Sequence, residues 1–201
     1  MTTDQAQSIA RPSERGAATR TALLRAAREV FLAAGYSQSG VTEIVARAGA
    51  SVGSLYHHFS GKAELYLALF EELHDDRARR TRGAVRSAKD AGVSDPRQLF
   101  LIGARAYLDG CVEQRPLGLL FVRGDGPPGF DLVMRERLAE WVSTNTEFFA
   151  RSGEPLDQAA AVVTTGALML AVAEVSLSED TARARKIADG VIEVLARLDY
   201  P

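Results

Sequence analysis

The sequence predicts an all-α protein of about nine helices, an N-terminal three-helix helix-turn-helix domain followed by a larger helical domain. Three observations lead there. Apolar residues recur at helical spacing through most of the chain. No long run alternates with period two beside hairpin turns. Short breaks separate the periodic segments, as in helical assemblies with tight connections.

The elements follow in order. Residues 1–17 are polar and read as a flexible arm. Thr19 is the expected N-cap of the first helix, which carries Leu23, Leu24, Ala27, Val30, Phe31 and Ala34 at helical spacing and stops at Gly35. A turn over 36–40 leads to a short helix over 41–48. A turn over 49–51 leads to a second over 52–58, which Ser60 and Gly61 break. A long helix covers 62–89, with Leu65, Leu69 and Leu73 on one face. A second module starts near 91–95, where Asp95 can cap a helix that carries Pro96 in its first turn and reaches about residue 114. Pro116 opens a short apolar helix over 117–122, and the GDGPPG segment 124–129 is a loop. A helix over 131–151 precedes a linker at 152–155, and helices over about 157–177 and 181–199 end the chain. The expected organisation is an arm over 1–17, a head over 18–62 and a body over 63–201.

Composition is that of a globular protein, 46% hydrophobic and 25% charged. No uninterrupted apolar run approaches the roughly 18–20 residues that span a bilayer. Residues 1–15 lack the apolar stretch of a signal peptide. The expected location is the cytoplasm, with no membrane partner. The one cysteine, Cys111, excludes an internal disulfide framework and a multi-cysteine zinc site. Net charge is −2, unevenly spread: residues 1–62 hold seven basic and four acidic side chains, the remainder 17 and 22. A mildly basic head on an acidic body suits a nucleic-acid reader joined to a different module. An imbalance this small supports that reading without deciding it.

In the head, Ile44, Val45 and Ala48 form the apolar face of one short helix. Leu55 and Phe59 anchor the next, and Gly49 permits the tight turn between them. A pair of this kind lays its second helix in the DNA major groove while the first crosses the backbone. The exposed candidates on the reading helix are Ser51, Val52, Gly53, Ser54, Tyr56, His57 and His58. Across residues 19–65 the pattern reads Thr19-Arg20, Leu23-Leu24, Ala26-Ala27, Phe31, Gly35-Tyr36, Val41, Ile44, Ala48-Gly49, Ser51, Gly53, Leu55-Tyr56, His58-Phe59, Lys62 and Leu65. This resembles the TetR (tetracycline-repressor-like) family. Gly40 departs from the family pattern, where Ser or Thr is usual, and Ser39 is the expected substitute cap. Val45 for Ala and Ala50 for Val are packing changes.

The resemblance implies a sequence-specific DNA-binding transcription regulator, a repressor released from a palindromic operator when a small molecule binds the body. It implies that Tyr56, His58 and Lys62 hold phosphates and that Val52, Gly53 and Ser54 face base edges. It further implies that Thr42 can touch DNA from the preceding helix and that His57 stands at a DNA-contacting position. Phosphate contacts set register and base-edge contacts set sequence. Val, Gly and Ser offer little bidentate hydrogen bonding, so specificity leans on close backbone approach, thymine-methyl contacts and DNA shape.

In the body, Met134, Leu138, Trp141, Asn145 and Phe148 share one stripe, and Phe100, Ala104, Tyr107 and Cys111 another. Aromatics with a few polar tips fit an internal pocket. With Thr165 and Met169, the expected ligand-binding set is Phe100, Tyr107, Met134, Trp141, Asn145, Phe148, Thr165 and Met169; for any one of them, ordinary core is the alternative. Ala159, Val163, Gly166, Leu170 and Ala173 make a small-residue face, and the last helix offers Ile187, Val191, Val194, Leu195 and Leu198. The resemblance implies a homodimer through the last two helices. Such a dimer sets two reading helices about 34–36 Å apart. Intramolecular packing is the alternative for the small-residue face.

Catalysis is the rival reading. Cys111 with His57, His58 or His74 would supply a nucleophile and base, but Cys111 sits on an apolar stripe and reads as an inert core thiol. His74, Asp75 and Asp76 are adjacent and do not share a helix face, so they read as a solvated surface and no metal site is expected. GDGPPG lacks the Gly-Lys-Ser/Thr ending of a phosphate loop. The expectation is no enzyme, no cofactor and no metal. A second rival is a helical ligand-binding or scaffold protein whose head no longer binds DNA; Gly40 is its one hint.

Overall fold

A computed structural model describes residues 12–149 and 155–198, with side chains for 15–148 and 158–198. Among the described residues the chain forms nine helices and no strand. They are α1 (Pro12–Gln38), α2 (Val41–Ala48), α3 (Val52–His58), α4 (Lys62–Asp90), α5 (Pro96–Glu113), α6 (Arg115–Val122), α7 (Phe130–Phe149), α8 (Pro155–Leu177) and α9 (Thr181–Arg197). The chain divides into two compact units, Met1–Leu69 and Phe70–Pro201, and the division falls inside α4.

In the first unit, α1 starts earlier than the sequence suggested. Proline fits the first helical turn, where its missing N–H is not needed, and α1 opens at Pro12. Residues 12–17, expected in the arm, are therefore helical; the rest of the arm lies outside the described residues. Thr19 is not a cap. Its hydroxyl donates to the Arg15 carbonyl at 2.9 Å, which a residue inside the helix can do. Gly35 acts as the expected stop: at φ 81° and ψ 170° the chain leaves helical geometry. The core is built from Leu23, Ala27, Val30 and Phe31 of α1, Ile44 and Val45 of α2, Leu55 and Phe59 around α3, and Leu65, Tyr66 and Leu69 of α4. Helices of eight and seven residues, as α2 and α3 are, do not persist alone. Burial holds them, at about 1.5–3 kcal/mol for each large apolar side chain.

Gly40 is the N-cap of α2, at φ −122° and ψ 149°, and no side chain caps the helix there. Ser39 does not substitute, contrary to expectation. It precedes the cap position, and its hydroxyl donates back to the Tyr36 carbonyl at 2.7 Å.

In the second unit, one core joins Phe100, Ala104, Tyr107, Leu108, Cys111 and Val112 of α5 to Leu168, Ala171 and Val175 of α8 and Ala184, Ala188 and Leu195 of α9. Asp95 caps α5 as the sequence suggested, accepting from the Arg97 N–H at 3.0 Å. Asp180 caps α9, accepting from the Arg183 N–H at 2.8 Å. The helix ends expected at residues 151 and 199, and linker residues 152–154, lie outside the described residues.

A further expectation, that no apolar run approaches the length of a membrane span, is corrected. The stretch Gln158–Leu177 of α8 is long and apolar enough, by length and composition, to cross a membrane. The cause is visible in the packing: one face is buried at Ala161, Leu168, Ala171 and Val175, and the other exposes Val162, Val163, Leu170 and Leu177.

The Gly40 backbone suits a capping side chain, and a Cβ there would meet nothing within 4 Å. Gly40→Ser is expected to stabilise the protein by a few tenths of a kcal/mol. Thermal melts would read this as a rise of about 1–2 °C. An unchanged or lower melting temperature would show that the missing hydroxyl does not limit α2.

Candidate nucleic-acid interface and the interior of the body

The turn between α2 and α3 is made by Gly49, in the left-handed region at φ 63° and ψ 31°. The Ala50 N–H then closes on the Val45 carbonyl at 2.9 Å. A side chain at Gly49 would have space but would be strained by that backbone. Ser51 caps α3, its hydroxyl oxygen accepting from the Ser54 N–H at 3.0 Å. Its first role is thus structural, and its hydroxyl proton is left to donate elsewhere.

Leu55 and Phe59 are buried, and this sets which way α3 faces. Val52, Gly53, Tyr56 and His57 lie on the exposed side, with Val52 44% and Tyr56 57% exposed; Ser54 and His58 are half-buried. The two imidazole rings lie 5.0 Å apart. Thr42, in the first turn of α2, is exposed. Arg47 is held by Glu29 and Glu43, each at 3.6 Å, so its charge is balanced within the head.

Lys62 is placed by contacts the sequence did not reveal. Its ammonium donates to the carbonyls of Tyr36 at 2.7 Å and Ser39 at 3.0 Å and lies 4.2 Å from the centre of the Tyr36 ring. Two of its three N–H donors are used this way. Next to it, the Glu64 carboxylate accepts from the Ser60 N–H at 2.6 Å, a bond that holds its pKa below the usual value.

Several expected ligand-binding residues meet in the second unit. The Tyr107 and Trp141 rings lie 4.5 Å apart and those of Phe100 and Phe148 6.1 Å apart, all against the main core. Asn145 donates to the Thr165 hydroxyl at 2.8 Å, the partner that a polar side chain in an apolar stripe requires. Met134 and Met169 are half-buried outside this set of contacts. An apolar groove of 380 Å³ lies elsewhere, lined by Ala167 of α8 and by Lys186, Ile187, Gly190, Val191, Val194 and Leu195 of α9.

Buried Arg77 and half-buried Gln114 were missed from sequence, and His74, expected on a solvated surface, is half-buried. The signal was available for one. Arg77 continues the stripe of Leu65, Leu69 and Leu73 at the next step of four. His74 packs edge-on against Phe70 at 4.3 Å and Trp141 at 6.5 Å. Burial, with the nearby charges of Arg77 and Arg137, lowers its pKa to about 3. Burial pushes the Cys111 thiol up to about 11, so it is protonated and a poor nucleophile.

A helix-turn-helix with a fixed, exposed outer helix, joined to a separate helical unit with an aromatic interior, defines a DNA-binding regulator. The family model described as bacterial regulatory proteins, tetR family, matches residues 23–69. The chain is 33% identical over 162 residues to the HTH-type transcriptional activator FasR of Mycolicibacterium smegmatis, covering 80% of this chain and 69% of that one. It is 41% identical over 59 residues to the HTH-type transcriptional repressor BepR of Brucella suis, covering 29% of this chain and 28% of that one. Its fold matches the crystal structure of a TetR-family transcriptional regulator from Pectobacterium atrosepticum, with a TM-score of 0.64 and 24% identity over 92% of this chain and 96% of that one. The chain belongs to the TetR family and is a DNA-binding transcription regulator.

The neutral His74 makes stability depend on pH. Its folded pKa lies below the ordinary value of 6.5. The associated stability is therefore fully present above about pH 6.5 and is lost as pH falls, because the unfolded chain binds a proton that the folded chain refuses until about pH 3. Urea melts of wild type and His74→Gln between about pH 7.5 and 4.5 are expected to differ in slope, wild type being steeper by up to about 1.4 kcal/mol per pH unit. Identical slopes would contradict a buried neutral imidazole.

Proposed function

We propose that the head binds a palindromic operator as part of a homodimer, that bound protein represses transcription, and that a small molecule in the second unit releases it. The observation that carries the DNA reading is the outer face of α3. Leu55 and Phe59 turn Val52, Gly53, Tyr56 and His57 outward, and the helix contains no acidic residue. Val52, Gly53 and Ser54 meet base edges. Tyr56 and His58 hold phosphates, His57 makes a further DNA contact, Ser51 adds its hydroxyl proton and Lys62 its third N–H. The uncapped N–H groups at the start of α2, with Thr42, offer a further phosphate contact.

The dimer reading rests on α8 and α9. Ala159, Val163, Gly166 and Leu170 of α8 are exposed, Leu170 at 65%, and so is Val194 of α9 beside the apolar groove. Exposed apolar residues grouped on one face mark an interaction surface. The effector reading rests on the aromatic interior of the second unit with its few polar tips. Helix α4 belongs to both units, so a shift of its second part reaches the head through the chain itself. The effector must favour the released state, by about 1–3 kcal/mol for a typical coupling. A regulator of this kind works where the chromosome is, in the cytoplasm.

Repression needs only that a bound dimer occupy a promoter. The opposite sign is favoured by one observation: FasR, matched over 80% of the chain, is named an activator, whereas BepR, named a repressor, matches over 29% of it. A reporter under the selected operator decides between them. Expression rises on removal of the regulator if it represses and falls if it activates.

Selection from random duplex at low salt is expected to enrich a palindrome; no enrichment would remove the DNA assignment. Tyr56→Phe is expected to weaken operator binding about five-fold, equally across sequences and with no change in melting temperature, the loss of one hydrogen bond of about 1 kcal/mol. Unchanged affinity would remove Tyr56 from the interface. Leu170→Glu is expected to give a monomer in sedimentation and a loss of operator affinity of roughly ten-fold or more. A dimer of unchanged mass would move the interface elsewhere.

A further inference from the structure

Arg77 of α4 is among the largest fully buried side chains, 1% exposed. A guanidinium keeps its charge at any pH a protein meets. Its Nε donates to Gln114 Oε1 at 3.2 Å, its Cζ lies 5.8 Å from the centre of the Tyr107 ring, and its Nη2 has no hydrogen-bond partner. Asp76 accepts from the amide end of the same Gln114 at 2.6 Å, but it is already shared by Arg79 and Arg80. No ion pair among the described residues includes Arg77.

Three titratable groups beside it are uncharged, and the second cation that acts on His74 and Tyr107, Arg137, is already paired with Glu71 and Glu140. His74 is held neutral, the Cys111 thiol is held protonated, and burial raises the Tyr107 phenol against the opposing effect of Arg77 itself. Arg115 is a useful contrast. It is also partly orphaned at Nε, but its Nη1 donates to the Ser178 carbonyl just past the end of α8, where the helix dipole favours a cation. Arg77 has the neutral Gln114 amide and the neutral Tyr107 hydroxyl instead, and its Nη2 has nothing. A buried cation without an anion is costly, and a bound anion removes that cost. Gly118 of α6 lies close against the tip of the guanidinium. A Cβ there would fall 3.2 Å from Arg77 Nη2 and 2.7 Å from Ser176 Oγ.

We propose that Arg77 anchors the acid group of the effector, and that the effector is a small monoanionic carboxylate with an apolar or aromatic body. The inference rests on the reading of the second unit as an effector domain. The planar fork of a guanidinium matches a carboxylate through two parallel hydrogen bonds. One negative charge neutralises this site, and a phosphate dianion overcharges it. The apolar body lies along Tyr107 towards half-buried Trp141, whose ring is 4.5 Å from that of Tyr107.

The test uses the full chain with alkyl and aryl carboxylates, their matched primary amides and matched alkyl phosphates. Trp141 is the one tryptophan, so intrinsic fluorescence reports on this interior directly. Melting temperature and operator release are read alongside. Carboxylates are expected to change Trp141 fluorescence and raise the melting temperature, amides to do neither, and phosphates to bind more weakly. Arg77→Gln is expected to weaken carboxylate binding by roughly 30-fold or more, and Arg77→Lys to keep part of it. If Arg77→Gln does not fold, the acid-against-amide comparison on wild type decides alone. Amides binding as well as acids, phosphates binding better than acids, an unaltered affinity in Arg77→Gln, or no binding by any carboxylate would each overturn the proposal. If neutral probes release the operator and acids do not, the effector reading stands and the Arg77 anchor falls. If acids bind through Arg77 but no probe of any charge releases the operator, the anchor stands and the release reading falls.

Discussion

Helix α4 must bury side chains in two separate cores, and the rest of the structure depends on that constraint. Leu65, Tyr66 and Leu69 complete the first unit, while Phe70, Leu73 and Arg77 are buried in the second. The Tyr66 ring meets Phe31 and Tyr36 at 5.8 and 5.1 Å, and the Phe70 ring meets Phe121 and Phe130 at 5.2 and 5.0 Å. Each half of the helix is fixed by close-packed neighbours in its own unit. A regulator needs such an element if an event in one unit is to be felt in the other.

The head shows how a few contacts orient a reading surface without contributing to it. Gly49 sets the turn, Ser51 caps the helix and buried Leu55 and Phe59 choose its face. Lys62 belongs with them: its ammonium bridges the carbonyls of Tyr36 and Ser39 and so holds the connection between α1 and α2. The resemblance assigned it to phosphate alone. Lys62 first builds the head, and two of its three N–H donors are taken up there.

The second unit separates neutral from charged burial. His74 and Cys111 are titratable groups kept uncharged by desolvation, which is the inexpensive way to bury them. Arg77 cannot take that route, since a guanidinium does not give up its proton. The fold therefore keeps one full charge in an aromatic interior, with the Gln114 amide and the hydroxyl and ring of Tyr107 as its contacts.

The sequence by itself determined the helical class, the order and near-boundaries of the helices and the helix-turn-helix. These rest on local spacing, on cap residues such as Asp95 and on glycines whose backbone has few alternatives, as at Gly35 and Gly49. Of the candidate sites, it supplied the outer face of α3 and the aromatic residues of the body, because helical periodicity alone orders both. Tertiary structure decided what periodicity cannot carry. It turned Ser39 away from α2, placed Thr19 inside a helix, exposed the small-residue face of α8 and tied Lys62 to two carbonyls. It also put Arg77 in the interior without an anion. The placements of Lys62 and Arg77 depend on which groups from distant segments arrive together, and a side chain's partners across 20 or more residues leave no trace in its local pattern.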